Sequence, residues 1–206
     1  MRHRDGLALP AGLVAVLVVL GEQVLRSGPV ARLDRRVEDW LVPRRDNPLP
    51  DTAVRLTDLG RPTVAVPLLV LLVVGLAVRR RAPAELVRPL VAVVALTVSV
   101  LVLKDLVGRP SPHGSTSSGG AWPSGHATTA TVVWGCAVQA LRLPVRAARA
   151  VAVGVPALVG VCLVLGGYHL VSDVLAGWAL GALLLVLTAP LAGRLPAGRS
   201  WSRMSA

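Results

Sequence analysis

Apolar residues in this chain run in blocks. From Val64 to Val78 and from Val91 to Leu103 almost every position is apolar, with neither the alternation of a half-buried strand nor the polar stripe of a surface helix. A hydrocarbon core of about 30 Å takes about 20 such residues in helix. Six segments meet or approach that length, at about 7–25, 62–78, 86–107, 126–143, 148–168 and 173–193. The pattern predicts an all-α fold, a bundle of six transmembrane helices forming a single membrane domain over residues 1–206. The first apolar run, Leu7–Leu20, is short enough for a signal peptide, but no clear small-residue cleavage site follows it, so it is read as a span.

Between the first two spans lies a connection with a pattern of its own. Leu33, Val37, Trp40 and Leu41 repeat at helical spacing, while Asp34, Arg35, Arg36, Glu38 and Asp39 fill the other side. This is an amphipathic helix, lying on the membrane surface or packed on its neighbours. Pro43, Pro48 and Pro50 break it before the second span. In the last span Gly177 and Gly181 stand four apart beside Ala176 and Ala182, a spacing that lets helices approach closely in lipid and reads as bundle packing. The only low-complexity stretch, Gly114–Gly120, falls between the third and fourth spans.

Composition supports a membrane protein: 53% of the chain is hydrophobic and 16% charged. The formal charge of +11 does not point to nucleic acid, because the cations sit between apolar runs and not along one polar face. They set an orientation instead. With the N-terminus cytoplasmic, twelve arginines fall in short inner segments, among them Arg79, Arg80, Arg81, Arg142 and Arg146, offset by Asp5 and Glu85 alone. Both termini are then cytoplasmic, and the arginine and alanine bias suggests the plasma membrane of a bacterium. Cys136 and Cys162 lie inside apolar runs as small hydrophobes. With four histidines at no ligand spacing, neither a structural metal nor a cofactor is expected.

Ionisable groups at the ends of apolar runs are expensive and point to function. Lys104 ends the third span, His126 opens the fourth, His169 ends the fifth and Asp173 opens the sixth. Alternating spans bring all of these to one face, the outer one in this orientation. Lys104 is the only lysine beside 21 arginines, which suggests that its compact ammonium is needed. In Pro123-Ser124-Gly125-His126, Ser124 suits an N-cap, and free N–H groups at that helix start favour an anion. His126 suits proton transfer near neutral pH. His169 and Asp173, four apart, share a face of a helical turn, where the carboxylate fixes one imidazole tautomer. Gly166 and Gly167 allow close backbone approach just before. Two histidines, an anion-friendly helix end and a lysine at one face point to phosphoryl chemistry.

On these residues the chain resembles the type 2 phosphatidic acid phosphatase family, whose fold is shared with vanadium haloperoxidases. The resemblance rests on Lys104 in Lys-Asp-Leu-Val-Gly-Arg-Pro-Ser-Pro, on Pro123–His126, and on His169–Asp173, in that order along six spans. It implies a two-step, metal-independent phosphatase. His169 attacks phosphorus and forms a phosphohistidine, Asp173 orients it, and His126 protonates the leaving oxygen and then activates water. Lys104, Ser124 and the Gly125 backbone bind the phosphate oxygens. Two positions depart from the family pattern: Ser111 and Leu163 stand where it has arginines that clamp the phosphate. Arg109, two residues before the first of these, is the nearest substitute, and His113 is a weaker one.

The expected function is therefore hydrolysis of a lipid phosphate or diphosphate, phosphatidate-like or polyprenyl, at the outer membrane face. The partners are that substrate and membrane lipids, with no nucleic acid. The alternative is a family member that binds a lipid head group or a membrane partner with little or no turnover; a lipid phosphotransferase is a third reading. The chain is too apolar for a soluble haloperoxidase, and its polar cluster sits at the bilayer face, not at the midplane where a transporter binds.

Overall fold

The computed structural model describes residues 2–42, 51–112 and 120–191, and among them every regular element is helical. The elements are α1 (Arg2–Leu25), α2 (Pro29–Leu41), α3 (Asp51–Leu56), α4 (Pro62–Arg80), α5 (Val87–Val107), α6 (Gly125–Ala140), α7 (Val145–Leu165) and α8 (Val171–Thr188). Short 3₁₀ turns lead into α4 at Thr57–Gly60 and into α5 at Pro83–Leu86.

Five of the described segments are long and apolar enough to cross a membrane: Leu7–Leu25, Pro62–Arg80, Pro83–Val107, Val145–Leu165 and Val171–Leu191. The expected fourth span is α6, which is shorter at 16 residues. It stops at Ala140 and not at 143 because Arg142 turns left-handed (φ 54°) and Pro144 follows, so the helical hydrogen bonding cannot continue. The fifth span likewise ends at Leu165, where Gly166, Gly167 and Tyr168 fold back onto the carbonyls of Cys162, Val164 and Leu163, with Gly167 left-handed (φ 70°). The α3 turn was not foreseen in the sequence.

α6 is the post of the bundle, packing on α4, α5, α7 and α8. Its small residues are what let the others close in. Gly177 of α8 is tight against it: a Cβ there would stand 2.8 Å from the Ser124 carbonyl oxygen and 2.9 Å from the Ala127 Cβ. Gly181 meets Thr131 in the same way, so the small-residue spacing serves the α6–α8 contact within the chain. Around α6, helices α4 and α5 contribute narrow stripes to the core, Ala65, Leu69 and Val73 from one and Ala92, Leu96 and Val100 from the other. Their remaining faces, with Leu68, Leu71, Val94 and Leu101, are exposed and apolar, as lipid-facing surfaces are. Cys136 and Cys162 are buried and unpaired.

One end of the bundle is bound by arginines: Glu85 accepts from Arg80 and Arg142, both at 2.9 Å, and Arg88 donates to the Leu185 carbonyl at 3.1 Å. The other end carries the ends of α1, α5 and α7, the starts of α4, α6 and α8, and the α2 helix, which packs on α1 and α8.

Candidate active site

The start of α6 is built as the sequence suggests. Ser124 is its N-cap, with extended backbone (ψ 115°) and a side-chain oxygen accepting from the Ala127 N–H at 3.3 Å. Its own N–H donates to the Asp173 carbonyl oxygen at 2.9 Å, which ties the start of α6 to the first turn of α8. Gly125 begins the helix and His126 follows, half-buried.

The His169–Asp173 pair forms differently from a shared helical face. His169 precedes the helix: Leu170 is the N-cap of α8 and Asp173 is its third residue. Asp173 turns one carboxylate oxygen, Oδ2, toward this corner, where it accepts from the Leu170 N–H at 2.9 Å and faces His169 Nδ1 at 3.4 Å. The contact with the imidazole is long for a hydrogen bond, as ligand-free sites often are. The corner is held from behind, since the His169 and Tyr168 N–H groups both reach the Leu163 carbonyl oxygen, at 3.3 and 2.9 Å.

The other carboxylate oxygen of Asp173 belongs to a buried charge network that the sequence did not reveal. Arg109 Nη1 donates to Asp173 Oδ1 and to Ser172 Oγ, each at 2.7 Å, while Nη2 donates to Asp34 Oδ2 at 2.8 Å. Asp34 also accepts from the Ser172 N–H at 3.0 Å and from its hydroxyl. These side chains are almost sealed: 10% of Arg109, 2% of Asp34 and none of Asp173 is exposed. Buried charges need partners and hydrogen bonds, and here one guanidinium is paired with two carboxylates. Arg109 is thereby committed to protein acceptors through three of its five N–H groups, leaving Nε and one Nη2 hydrogen.

Asp34 is the residue that sequence reasoning missed. The periodicity of α2 puts Leu33, Val37, Trp40 and Leu41 on an apolar face, for lipid or for neighbouring helices, with Asp34 and Glu38 on the polar side. The buried positions are Ala31, Asp34, Glu38 and Leu41, while Leu33 and Trp40 are exposed. The reason is that Asp34 answers a cation, Arg109, which lies 75 residues away in sequence. Asp34→Asn keeps an acceptor for Ser172 but loses the charge opposite Arg109. We expect it to lower stability by about 1.5–3 kcal/mol, the usual worth of a hydrogen bond to a charged group, measured as a lower midpoint of thermal unfolding in detergent.

Lys104, in the last turn of α5, donates to the Gly120 carbonyl oxygen and so anchors the chain leading into Trp122–His126. Through that segment Lys104 is joined to the start of α6, and through the Ser124 N–H and the Asp173 carbonyl oxygen the start of α6 is joined to the His169–Asp173 corner. Thus Lys104, Arg109, Ser124, Gly125, His126, His169 and Asp173 occupy one end of the bundle. Arg61 and Asp58, an ion pair at 3.5 Å, flank Gly60 at the entry to α4, where the Gly60 backbone abuts the His126 carbonyl. Leu163 is 2% exposed in an apolar cluster with Ala127, Ala130, Val159 and Val174. Ser111 is half-buried, and His113 lies outside the described residues. Among the described residues no group of three or more His, Cys, Asp or Glu is placed to hold a metal ion.

With this geometry in hand, comparison with known proteins is specific. The sequence profile of the PAP2 superfamily matches residues 85–196, more than half of the chain. No curated protein sequence matches. Among solved structures, the fold resembles the crystal structure of a transmembrane PAP2-type phosphatidylglycerolphosphate phosphatase from Bacillus subtilis. The TM-score is 0.79 at 26% identity, over 92% of this chain and 98% of that one. The profile match contains every candidate residue from Lys104 to Asp173.

Proposed function

This chain belongs to the PAP2 superfamily, and from that premise we propose that it is an integral membrane phosphatase that hydrolyses a lipid phosphate or diphosphate through a phosphohistidine at the outer face. The observation that carries the proposal is the corner at α8. Asp173 Oδ2 faces His169 Nδ1 at 3.4 Å; a carboxylate there favours the tautomer with its proton on Nδ1, in which Nε2 carries the lone pair that attacks.

In the first step Nε2 of His169 bonds to phosphorus as the bond from phosphorus to the lipid oxygen breaks. His126, protonated, gives that oxygen its proton. In the second, His126 takes a proton from water as the water oxygen bonds to phosphorus, the P–N bond breaks, and the electron pair returns to His169. Lys104, Ser124 and the N–H groups opening α6 bind the equatorial oxygens, where charge builds in the transition state. Arg109 offers its two remaining N–H groups while Nη1 keeps Asp173 in place.

In the orientation that puts the arginine-rich end in the cytoplasm, α6 is the fourth of six crossings, α2 lies along the outer surface with Leu33 and Trp40 toward lipid, and the site opens outward. The Bacillus subtilis neighbour is a phosphatidylglycerolphosphate phosphatase, which makes that lipid a substrate to try beside phosphatidate and polyprenyl diphosphate. The test is phosphate release from each by purified protein in mixed micelles. Release that disappears with His169 supports hydrolysis. Binding of these lipids without release would instead support the non-catalytic reading that the departures at Ser111 and Leu163 raise.

The segment before α4 also has to fit the site. A Cβ on Gly60 would stand 2.5 Å from the His126 carbonyl oxygen and 2.9 Å from Val159 Cγ1. Both neighbours are fixed, so Gly60→Ala is expected to cost about 1–3 kcal/mol of stability through overpacking and to reduce phosphate release by displacing His126.

A further inference from the structure

Resting on the phosphatase reading, we propose that Arg61 binds the phosphate of the lipid substrate, supplying from the start of α4 a guanidinium that the two departures from the family pattern leave wanting. Four observations carry this. The segment preceding Arg61 is seated on the site: Gly60 presses on the His126 backbone, the Leu59 carbonyl oxygen accepts from Trp134 Nε1 at 3.0 Å, and Leu59 packs on the cluster that contains Leu163. Position 163 is therefore filled by apolar packing, in a cluster that Leu59 helps to cover.

The backbone of Arg61 is fixed while its side chain is not. Its N–H donates to the Asp58 carbonyl at 3.1 Å, and its own carbonyl accepts from Val64 and Ala65 at 3.0 and 2.8 Å. The side chain is 57% exposed and reaches Asp58 Oδ1 at 3.5 Å, a loose ion pair. It starts one residue after Gly60, whose backbone abuts the His126 carbonyl, and so from the rim of the site. A phosphate bound between the histidines carries up to two negative charges and offers the planar acceptor pair that a guanidinium matches, so it displaces one half-exposed carboxylate.

The experiment uses the full chain in detergent micelles, with short-chain phosphatidate as substrate and inorganic phosphate as competing ligand. Arg61→Gln is expected to lower kcat/KM by about 10- to 100-fold and to raise the inhibition constant of inorganic phosphate comparably, as loss of a charge-assisted hydrogen bond does. Arg61→Lys restores part of both. Asp58→Asn, which frees Arg61, tightens phosphate. Arg55→Gln, a charge removed from the same segment, leaves both constants unchanged. A shift for lipid phosphate alone would mean that Arg61 reads the head group only when it is lipid-borne, and still supports the proposal. Active wild-type protein with both constants unaltered in Arg61→Gln overturns it. If the wild type shows no turnover, the phosphatase reading fails by itself, and calorimetric titration with orthovanadate decides this one: weaker binding in Arg61→Gln supports it, equal or undetectable binding in both overturns it.

Discussion

Replacing His169 with glutamine is expected to remove phosphate release almost completely, by about 10⁴-fold or more, the scale seen when a covalent nucleophile is deleted from a preorganised site. The side chain is 11% exposed, and the Leu163 carbonyl holds its backbone, so glutamine occupies the corner without disturbing it and loses only the attacking nitrogen. Asp173 keeps its bonds to Leu170 and Arg109, so stability changes little. Retention of activity within tenfold in a folded His169→Gln protein excludes the phosphohistidine route.

The partner variant, His126→Asn, separates the two steps. With a leaving group that needs no protonation, such as a nitrophenol, the first step proceeds while the second, which needs a base for water, stalls. Phosphate labelled with ³²P then stays on the protein in an acid-labile, base-stable bond, and adding His169→Gln removes it. Failure to trap label with His126→Asn, while its turnover remains slow, would assign His126 to the first step alone.

How much of this was legible in the sequence depends on what each residue answers to. Lys104, His126, His169 and Asp173 were legible because the alternation of apolar runs fixes which end of the bundle each occupies, whatever the details of packing. The N-cap at Ser124 is local chemistry and was legible for that reason. Asp34 was not: hydrophobic periodicity sorts a helix into apolar and polar faces, but it cannot tell that a carboxylate is buried because a guanidinium from another helix neutralises it. The same pattern left open whether Leu33 and Trp40 face lipid or neighbouring helices, since an apolar face on α2 has both to meet; both are exposed. Arg61 belongs with Asp34. It sits at the entry to a span, where an arginine reads as an ordinary interfacial cation, and only the folding of Thr57–Gly60 onto His126 sets it beside the site.

The arginine that the resemblance expects at position 163 can be put back, and Leu163→Arg is expected to damage the protein without improving it. Leu163 lies among Ala127, Ala130, Val159 and Val174, an entirely apolar set. A guanidinium at so buried a position gives up its water, and an uncompensated buried charge costs about 3–5 kcal/mol. Its extra length also pushes on the backbone whose carbonyl oxygen holds Tyr168 and His169. The variant should therefore unfold at lower temperature in detergent and release phosphate more slowly than the parent chain. Ser111→Arg is the milder companion, because position 111 is half-buried and outside this cluster. Leu163→Arg protein that unfolds at the parent temperature and turns over faster would mean that an arginine subsite stands open at position 163, and the need for a guanidinium from Arg61 would go with it.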